Sequence, residues 1–145
     1  MTARKLVLLV VLPLAFAAAG CGGGSGEQES PSPAVIEHAK GSNAERVRLT
    51  AEAARRIGVR TAVVRRAGGG PDIVIPYGAL LYDPDGNTWA YTSPKPLVFQ
   101  RQNVKVASID GNTVLLSKGP SAGAKVVTEG ATEIWGVEYG GIEED

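Results

Sequence analysis

Short apolar stretches, several of them β-branched, recur through the second half of the chain, as expected of a series of β-strands. These stretches are residues 73–75, 79–82, 88–92, 98–110, 114–116 and 125–128. Turn-forming residues separate them, most clearly DPDGN at 83–87 and the hairpin signal Asp110-Gly111. Short strands at this spacing predict a mainly β domain, a small antiparallel sandwich or barrel.

One short helix is predicted ahead of these stretches, within RVRLTAEAARRIGVRTAVVRR. The Thr50 hydroxyl suits the N-cap position, and Glu52 favours the positive end of the helix dipole. Arg55 and Arg56 favour the opposite end, and Gly58 supplies the left-handed conformation that often ends a helix. Strands are predicted on either side of the helix, at residues 47–49 and 59–66.

The N-terminus carries a different pattern, in which Arg4 and Lys5 precede an apolar run over residues 6–19. A bilayer-spanning helix needs about 20 apolar residues, so this run is too short to span. Positive charge, a short apolar core and small residues at its end are typical of a secretory signal peptide.

The end of that run, Ala18-Ala19-Gly20-Cys21, resembles the lipobox of bacterial lipoproteins, with alanine where leucine is commonest. The resemblance implies that residues 1–20 are a lipoprotein signal peptide and that the Cys21 thiol carries a diacylglycerol. Because two acyl chains give stable anchoring, the mature chain is expected on the extracytoplasmic side of the cell membrane, in the periplasm or on the outer face. The alternative is an ordinary signal peptide followed by an incidental free cysteine.

Composition divides the rest of the chain into three parts. Residues 21–44 contain GGGSG, PSP and GSN, and we predict a flexible tether in which His38 is a solvated side chain. Residues 45–140 have the length of one small domain. Residues 141–145 are predicted to form an acidic, frayed tail.

The net charge of the chain after residue 20 bears on whether it binds nucleic acid. Removal of residues 1–20 leaves thirteen basic residues against fifteen acidic ones, so there is no electrostatic basis for nucleic-acid binding. Arg65, Arg66 and Arg101 could form a basic patch, although a solvated sheet edge is the simpler interpretation.

Metal ligands are scarce, because the chain has one cysteine, which is Cys21, and one histidine. No disulfide, zinc site or cofactor is therefore expected apart from the lipid. Asp83 and Asp85 begin like a calcium loop, but Gly86 comes two positions early and Pro94 occupies the place of the closing glutamate. We predict an ordinary turn there.

Two aromatic pairs are candidates for recognition. Trp89 and Tyr91 fall on one face of a predicted strand, where they either pack in the core or stack on a ligand. Trp135 and Tyr139, near the end of the predicted domain, either pack back onto it or mark a docking surface.

Three segments resemble the membrane-proximal domain of membrane fusion proteins, the periplasmic adaptors of hemolysin-D-like and RND-type efflux systems. The first is LTAEAARRIGVRTAVV, which is similar to the family's short helix and following strand. The second is IPYGALLYDPDGNTWAY, and the third is VFQRQNVKVASIDGNTVLLSKGPSAGAKVVTEGA, which is similar to the family's closing strands and hairpin. The resemblance extends over roughly residues 47–135 and implies a β domain of the adaptor's membrane-proximal type.

The chain departs from that family at residues 67–72, AGGGPD. There the family has a long excursion through a β-barrel, a lipoyl-like domain and an α-helical hairpin, which it uses to reach an outer channel. The resemblance therefore implies a membrane-proximal domain without these projections. It further predicts that strands 59–66 and 73–75 lie side by side, joined by a flexible glycine junction.

Two functions are consistent with these features. The first is a non-enzymatic, adaptor-like accessory subunit of an efflux or ABC-type transporter, with the permease as partner. The alternative is a stand-alone lipoprotein binding module for a small ligand or a cell-envelope component. The chain shows no nucleophile paired with a base, and no methionine besides Met1 that would suit a copper or silver chaperone.

Overall fold

The computed structural model describes residues 32–38, 45–68 and 70–140. Eleven strands make up most of this part: β1 (Ala34–His38), β2 (Glu45–Leu49), β3 (Arg60–Val63), β4 (Arg65–Arg66), β5 (Ile73–Pro76), β6 (Leu81–Tyr82), β7 (Thr88–Lys95), β8 (Val98–Asn103), β9 (Lys105–Asp110), β10 (Thr113–Lys118) and β11 (Lys125–Glu129). Two helices, α1 (Ala51–Arg56) and α2 (Ala131–Gly140), and a 3-10 turn at Tyr77–Ala79 complete the described elements. No helix among these residues is long and apolar enough to cross a membrane.

The strands pair antiparallel in two sheets, which confirms the predicted mainly β, sandwich-like class. The seven-stranded sheet has the order β1-β2-β8-β7-β11-β3. The short strand β6 lies outside this order and pairs with β7. The four-stranded sheet has the order β4-β5-β10-β9. Neither sheet closes into a barrel, so of the two predicted architectures the sandwich is the one observed.

Two hydrophobic clusters lie on opposite faces of the seven-stranded sheet. The first, here the inter-sheet core, joins both sheets through aliphatic side chains: Val64, Ile73, Ile75, Ala79, Leu80, Ala90, Val104, Val114, Leu116 and Val126. The second, here the helix-side core, packs the other face against α1 and α2 through residues that include Tyr91, Phe99, Val127 and Ile134. Successive residues of a strand point to opposite faces, so Ala90 and Tyr91 belong to different cores.

The predicted first helix is present as α1 and carries the predicted end signals. The Thr50 Oγ1 accepts a hydrogen bond from the Ala53 backbone N–H at 3.1 Å, which satisfies one of the free donors of the first turn. Gly58 follows with φ +69°, the left-handed conformation expected there. Ala54 is buried against the helix-side core.

The junction at residues 67–72 closes a hairpin between β4 and β5. Arg65 pairs with Val74 and Arg66 with Ile73, and the Ala67 N–H donates to the Asp72 carbonyl at 2.9 Å. Residues 65–66 therefore lie beside β5, as predicted for this end of the strand. The rest of the predicted strand over 59–66 does not: it breaks at Val64, and β3 pairs with β11 in the seven-stranded sheet. The predicted strand over 98–110 divides in the same way at Val104, because Val64 and Val104 are both buried in the inter-sheet core where the chain passes from one sheet to the other.

The predicted tether over residues 21–44 is wrong for residues 34–38, which form β1 and pair with β2. Ala34 is buried in the helix-side core, and the Thr50 N–H donates to the Pro33 carbonyl at 2.9 Å. An apolar contact and a ladder of backbone hydrogen bonds thus order this segment despite its polar, proline-containing surroundings. His38 is exposed at the end of β1, as expected, with its Nδ1 3.9 Å from Glu45 Oε1.

The segment with Trp135 and Tyr139 forms α2, a second helix beyond the one predicted. Ile134 is fully buried and fixes the helix on the sheet. Gly130 precedes the helix with φ +81°, and a Cβ there would lie 3.2 Å from Val59 Cγ2, so both conformation and space favour glycine. The predicted signal peptide, Cys21 and the acidic tail at 141–145 lie outside the described residues.

Candidate functional site

Arg101 on β8 lies between two aromatic rings. Its guanidinium carbon is 4.4 Å from the centroid of the Trp89 ring and 4.9 Å from that of Tyr139. Its Nη1 also donates to the Tyr139 hydroxyl at 2.6 Å. A guanidinium on an aromatic face is held by cation–π attraction, so Arg101 connects the sheet to α2.

A carboxylate from α2 completes this connection. Glu138 Oε1 accepts from Arg101 Nε at 3.1 Å, and the two side chains are only 8% and 20% exposed. The buried Tyr91 hydroxyl donates to the other carboxylate oxygen, Oε2. Burial and this hydrogen bond to the Glu138 carboxylate raise the pKa of Tyr91, so its phenol stays neutral. Charge-assisted hydrogen bonds are directional, and these two fix α2 in one position on the sheet.

The loop after β6 supports the same region. Asp83 Oδ1 accepts the backbone N–H groups of Asp85 and Asn87, at 3.0 and 2.7 Å. Asp83 Oδ2 accepts from Asn87 Nδ2 and from Trp89 Nε1, both at 2.9 Å. These hydrogen bonds, that of the Asn87 side chain first, lower the pKa of the Asp83 carboxyl. Asp83 therefore organises a turn, as predicted, and orients the Trp89 ring on which Arg101 lies.

An exposed aromatic surface lies beside this cluster. Tyr82, Trp135 and Tyr139, here the aromatic surface, border a shallow concavity of about 510 Å³ that Gly136 leaves open. The Trp135 and Tyr139 rings are tilted by 60° with centroids 5.6 Å apart. Tyr82 is 49% exposed and Tyr139 61% exposed. Large aromatic side chains exposed in a contiguous patch are typical of interaction sites.

The structure resolves two groups of candidate residues from the sequence, the aromatic pair on β7 and the three arginines. Trp89 and Tyr91 share a face, and Tyr91 packs in the core, while the partner stacked on Trp89 is Arg101 of the same chain. Arg65 and Arg66 lie exposed on the four-stranded sheet, whereas Arg101 belongs to the seven-stranded one and pairs with Glu138. The three arginines therefore do not form one basic patch.

Glu138 is the residue of this site that the sequence analysis missed. Glu138 is four residues after Ile134, so in a helix the two side chains lie on the same face. This spacing is the feature of the sequence from which a buried position of Glu138 could have been predicted. A carboxylate on the buried face of a helix indicates a partner on the element beneath it.

A second concavity of about 780 Å³, here the groove, lies between the end of β7, the loop before β11 and the end of α1. Apolar, hydroxyl-bearing and basic residues line it, among them Leu97, Thr61 and Lys95. Its volume is within the range of small-molecule sites.

No metal centre accompanies these features in the part of the chain that the structure describes, where no group of three or more histidine, cysteine, aspartate or glutamate side chains is positioned to hold an ion. Comparison with known proteins adds no assignment: no family model, no curated protein and no solved structure matches the chain.

Proposed function

We propose that the chain is a membrane-anchored lipoprotein that serves as a non-enzymatic, adaptor-like accessory subunit of an efflux or ABC-type transporter. A diacylglycerol on Cys21, implied by the lipobox-like AAGC sequence, would hold it at the extracytoplasmic membrane surface. The folded domain would then dock on the exposed face of the permease.

The observation that carries the docking proposal is the aromatic surface. Tyr82 and Tyr139 present large ring areas to solvent, and Trp135 extends the patch. Tyrosine, tryptophan and arginine dominate the binding energy of protein interfaces. The Arg101–Glu138 pair fixes the helix that carries Trp135 and Tyr139, so little conformational entropy would be lost there on docking.

The junction at residues 67–72 supports the adaptor part of the proposal. It closes the β4–β5 hairpin, with Ala67 and Asp72 hydrogen-bonded at 2.9 Å. The segments that resemble the family's membrane-proximal domain are therefore adjacent strands of one folded unit. This arrangement is consistent with such a domain folding without the projections that separate the same segments in the family.

Docking is tested by cross-linking the chain in its native membranes and identifying the proteins captured. We expect an integral membrane permease, and we expect Tyr82→Lys to reduce its recovery several-fold, because a charge at the aromatic surface would be desolvated in the interface. Tyr77→Lys is the matched control, since Tyr77 is 44% exposed but does not border the aromatic surface. Recovery of no integral membrane protein above background would reject the docking proposal.

The anchor is tested separately by mass spectrometry of the mature N-terminus. We expect Cys21 as the first residue, carrying a thioether-linked diacylglycerol, and loss of membrane association in Cys21→Ser. An unmodified thiol at Cys21 would contradict lipidation without bearing on the docking surface.

The alternative function, a stand-alone binding module, is favoured by a different observation. The groove is larger than the concavity at the aromatic surface, about 780 against 510 Å³, and it combines apolar with polar lining. The two functions use different surfaces, so they are separable by mutation.

A further inference from the structure

The groove forms where two neighbouring strands of the seven-stranded sheet separate. β7 and β11 pair at a single position, Thr92 opposite Val126. Beyond it the pairing of β7 with β8 shifts register between Thr92 and Lys95. The end of β7 therefore diverges from β11, and the groove occupies the space that opens between them.

Three cationic side chains lie around this space: Arg55 from the last turn of α1, Lys95 at the end of β7, and Lys125 at the start of β11. No carboxylate side chain is among the described residues that line the groove. Within the described ranges, none of these three cations forms an ion pair, although five ion pairs occur elsewhere in them. The groove therefore favours a negatively charged occupant.

The remaining lining is largely apolar. Val59, Leu97 and Ala124 are half-buried there, and the buried Phe99 also lines the groove. Thr61 and Ser121 add hydroxyl groups at its edge. A ligand that suits this lining has an apolar body as well as an anionic group.

Leu97 adopts a backbone conformation that leucine rarely has. Its φ is +61°, and it is the only residue other than glycine with a positive φ in the described part of the chain. Its carbonyl accepts the Leu49 N–H at 3.0 Å, which holds the β7–β8 turn in place. The Leu97 side chain lines the groove and packs against the helix-side core, and uncommon backbone conformations of this kind cluster at ligand sites.

We propose that the groove binds an anionic amphiphile, a molecule with a phosphate or carboxylate head and an alkyl body. The head interacts with Arg55, Lys95 and Lys125, and the alkyl body packs on Leu97 and Val59. Two sources present this chemistry, a free single-chain amphiphile and an anionic phospholipid of the bilayer. The inference goes beyond the docking proposal and does not depend on it, because it concerns a different surface and needs no protein partner.

The test uses the full chain in phosphatidylcholine nanodiscs and follows backbone amide resonances during titration. Octyl phosphate is the probe, octyltrimethylammonium has the same chain with the opposite charge, and inorganic phosphate has the charge without the chain. We expect octyl phosphate to shift the amides of Ser93, Lys95, Leu97, Ala124 and Lys125, with a Kd at least about tenfold below that of either control. Equal affinity for octyltrimethylammonium, or shifts confined to other residues, would overturn the proposal.

Charge-reversal variants locate the site. Lys95→Glu with Lys125→Glu is expected to raise the Kd for octyl phosphate at least about tenfold, and the milder Lys95→Gln with Lys125→Gln to raise it by less. The matched control is Lys105→Glu with Lys118→Glu, two exposed lysines of the four-stranded sheet, which should leave the Kd unchanged. An unchanged Kd in both groove variants, with the other resonances intact, would also refute the proposal.

The source of the amphiphile is distinguished by adding phosphatidylglycerol to the nanodiscs. If octyl phosphate then binds more weakly, a bilayer phospholipid occupies the groove. If its affinity is unchanged while the groove variants still lose binding, a free single-chain amphiphile is the ligand.

Discussion

The two faces of the seven-stranded sheet are built from different chemistry. The inter-sheet core is made of aliphatic side chains and alanines, whereas the helix-side core contains Tyr91 and Phe99 and is bordered by the Arg101–Glu138 pair. The free energy of apolar burial is non-directional and scales with the buried area. The inter-sheet core therefore stabilises the fold without fixing the orientation of individual side chains. Hydrogen bonds to charged groups demand fixed distances and angles, so the helix side specifies where α2 lies.

This difference explains where the exposed aromatic residues occur. The aromatic surface lies on α2 and the β6 segment, next to the directional bonds of Arg101, Glu138 and Asp83. A rigid, oriented patch is what recognition requires, while the aliphatic face is covered by the second sheet. We therefore expect substitutions in the inter-sheet core to change stability most, and those on the helix side to change the position of α2 as well.

The largest effect is expected for Leu116→Ala in the inter-sheet core. Leu116 is fully buried between the sheets, and its truncation should lower the free energy of unfolding by about 2–5 kcal/mol, through lost burial and the cavity left behind. Chemical denaturation measures this loss. The neighbouring Leu115, which is only half-buried, provides the control, and an equal loss in Leu115→Ala would contradict the layered arrangement.

A smaller effect is expected for Glu138→Ala on the helix side. Arg101 and the Tyr91 hydroxyl would both lose their hydrogen-bond acceptor, at a cost of about 1–3 kcal/mol in unfolding free energy. Glu133→Ala, on an exposed position of the same helix, should cost less than about 1 kcal/mol.

The paired variant Arg101→Met with Glu138→Met sharpens the comparison. Replacing both charged partners by apolar groups should recover part of the stability lost in Glu138→Ala, because no uncompensated charge remains and only the Tyr91 hydroxyl still lacks its acceptor. If the double variant is as unstable as Glu138→Ala, the hydrogen bonds between Arg101 and Glu138 themselves contribute the unfolding free energy that is lost.

The smallest effect concerns alkaline pH. Because the pKa of Tyr91 is raised in the folded state by burial and by Glu138, the folded chain keeps a proton that the unfolded chain releases above about pH 10. The contribution of Tyr91 is complete below that pH and falls as the pH rises further, by at most about 1.4 kcal/mol per pH unit. Chemical denaturation of the wild type and of Tyr91→Phe between pH 9 and 11 measures this contribution. If the unfolding free energies of the two proteins fall in parallel with pH, the prediction is wrong.

Features encoded locally were predictable from the sequence. The β-branched runs, the DPDGN and DG turns, and the Thr50 and Gly58 helix signals all depend on neighbouring residues, and strands, turns and α1 occur in these regions. The breaks at Val64 and Val104, where the predicted strands pass from one sheet to the other, depend on burial between the sheets and were not predicted. β1 was missed because its two strand-forming residues, Val35 and Ile36, lie within a polar, glycine- and proline-rich stretch, and because pairing with β2 completes the strand. α2 was missed because Gly136 and Gly140 weaken its helix propensity, which packing of Ile134 overrides.

The site itself depends on contacts that the linear sequence does not report. Arg101 and Glu138 are 37 positions apart, and Tyr91 and Glu138 are 47 positions apart. The sequence marks Tyr91 and Arg101 as candidates one at a time. That they lie side by side follows from the register of β7 with β8, and that both contact Glu138 follows from the packing of α2 on these strands.

The tight β4–β5 connection has a practical consequence for engineering. Its two ends are already tied by a backbone hydrogen bond, so the chain enters and leaves the fold at neighbouring points on the surface. Such points tolerate domain insertion well. A reporter or a helical spacer grafted at residues 68–71 would emerge from the four-stranded sheet, away from the residues of the aromatic surface, which would stay free for assay.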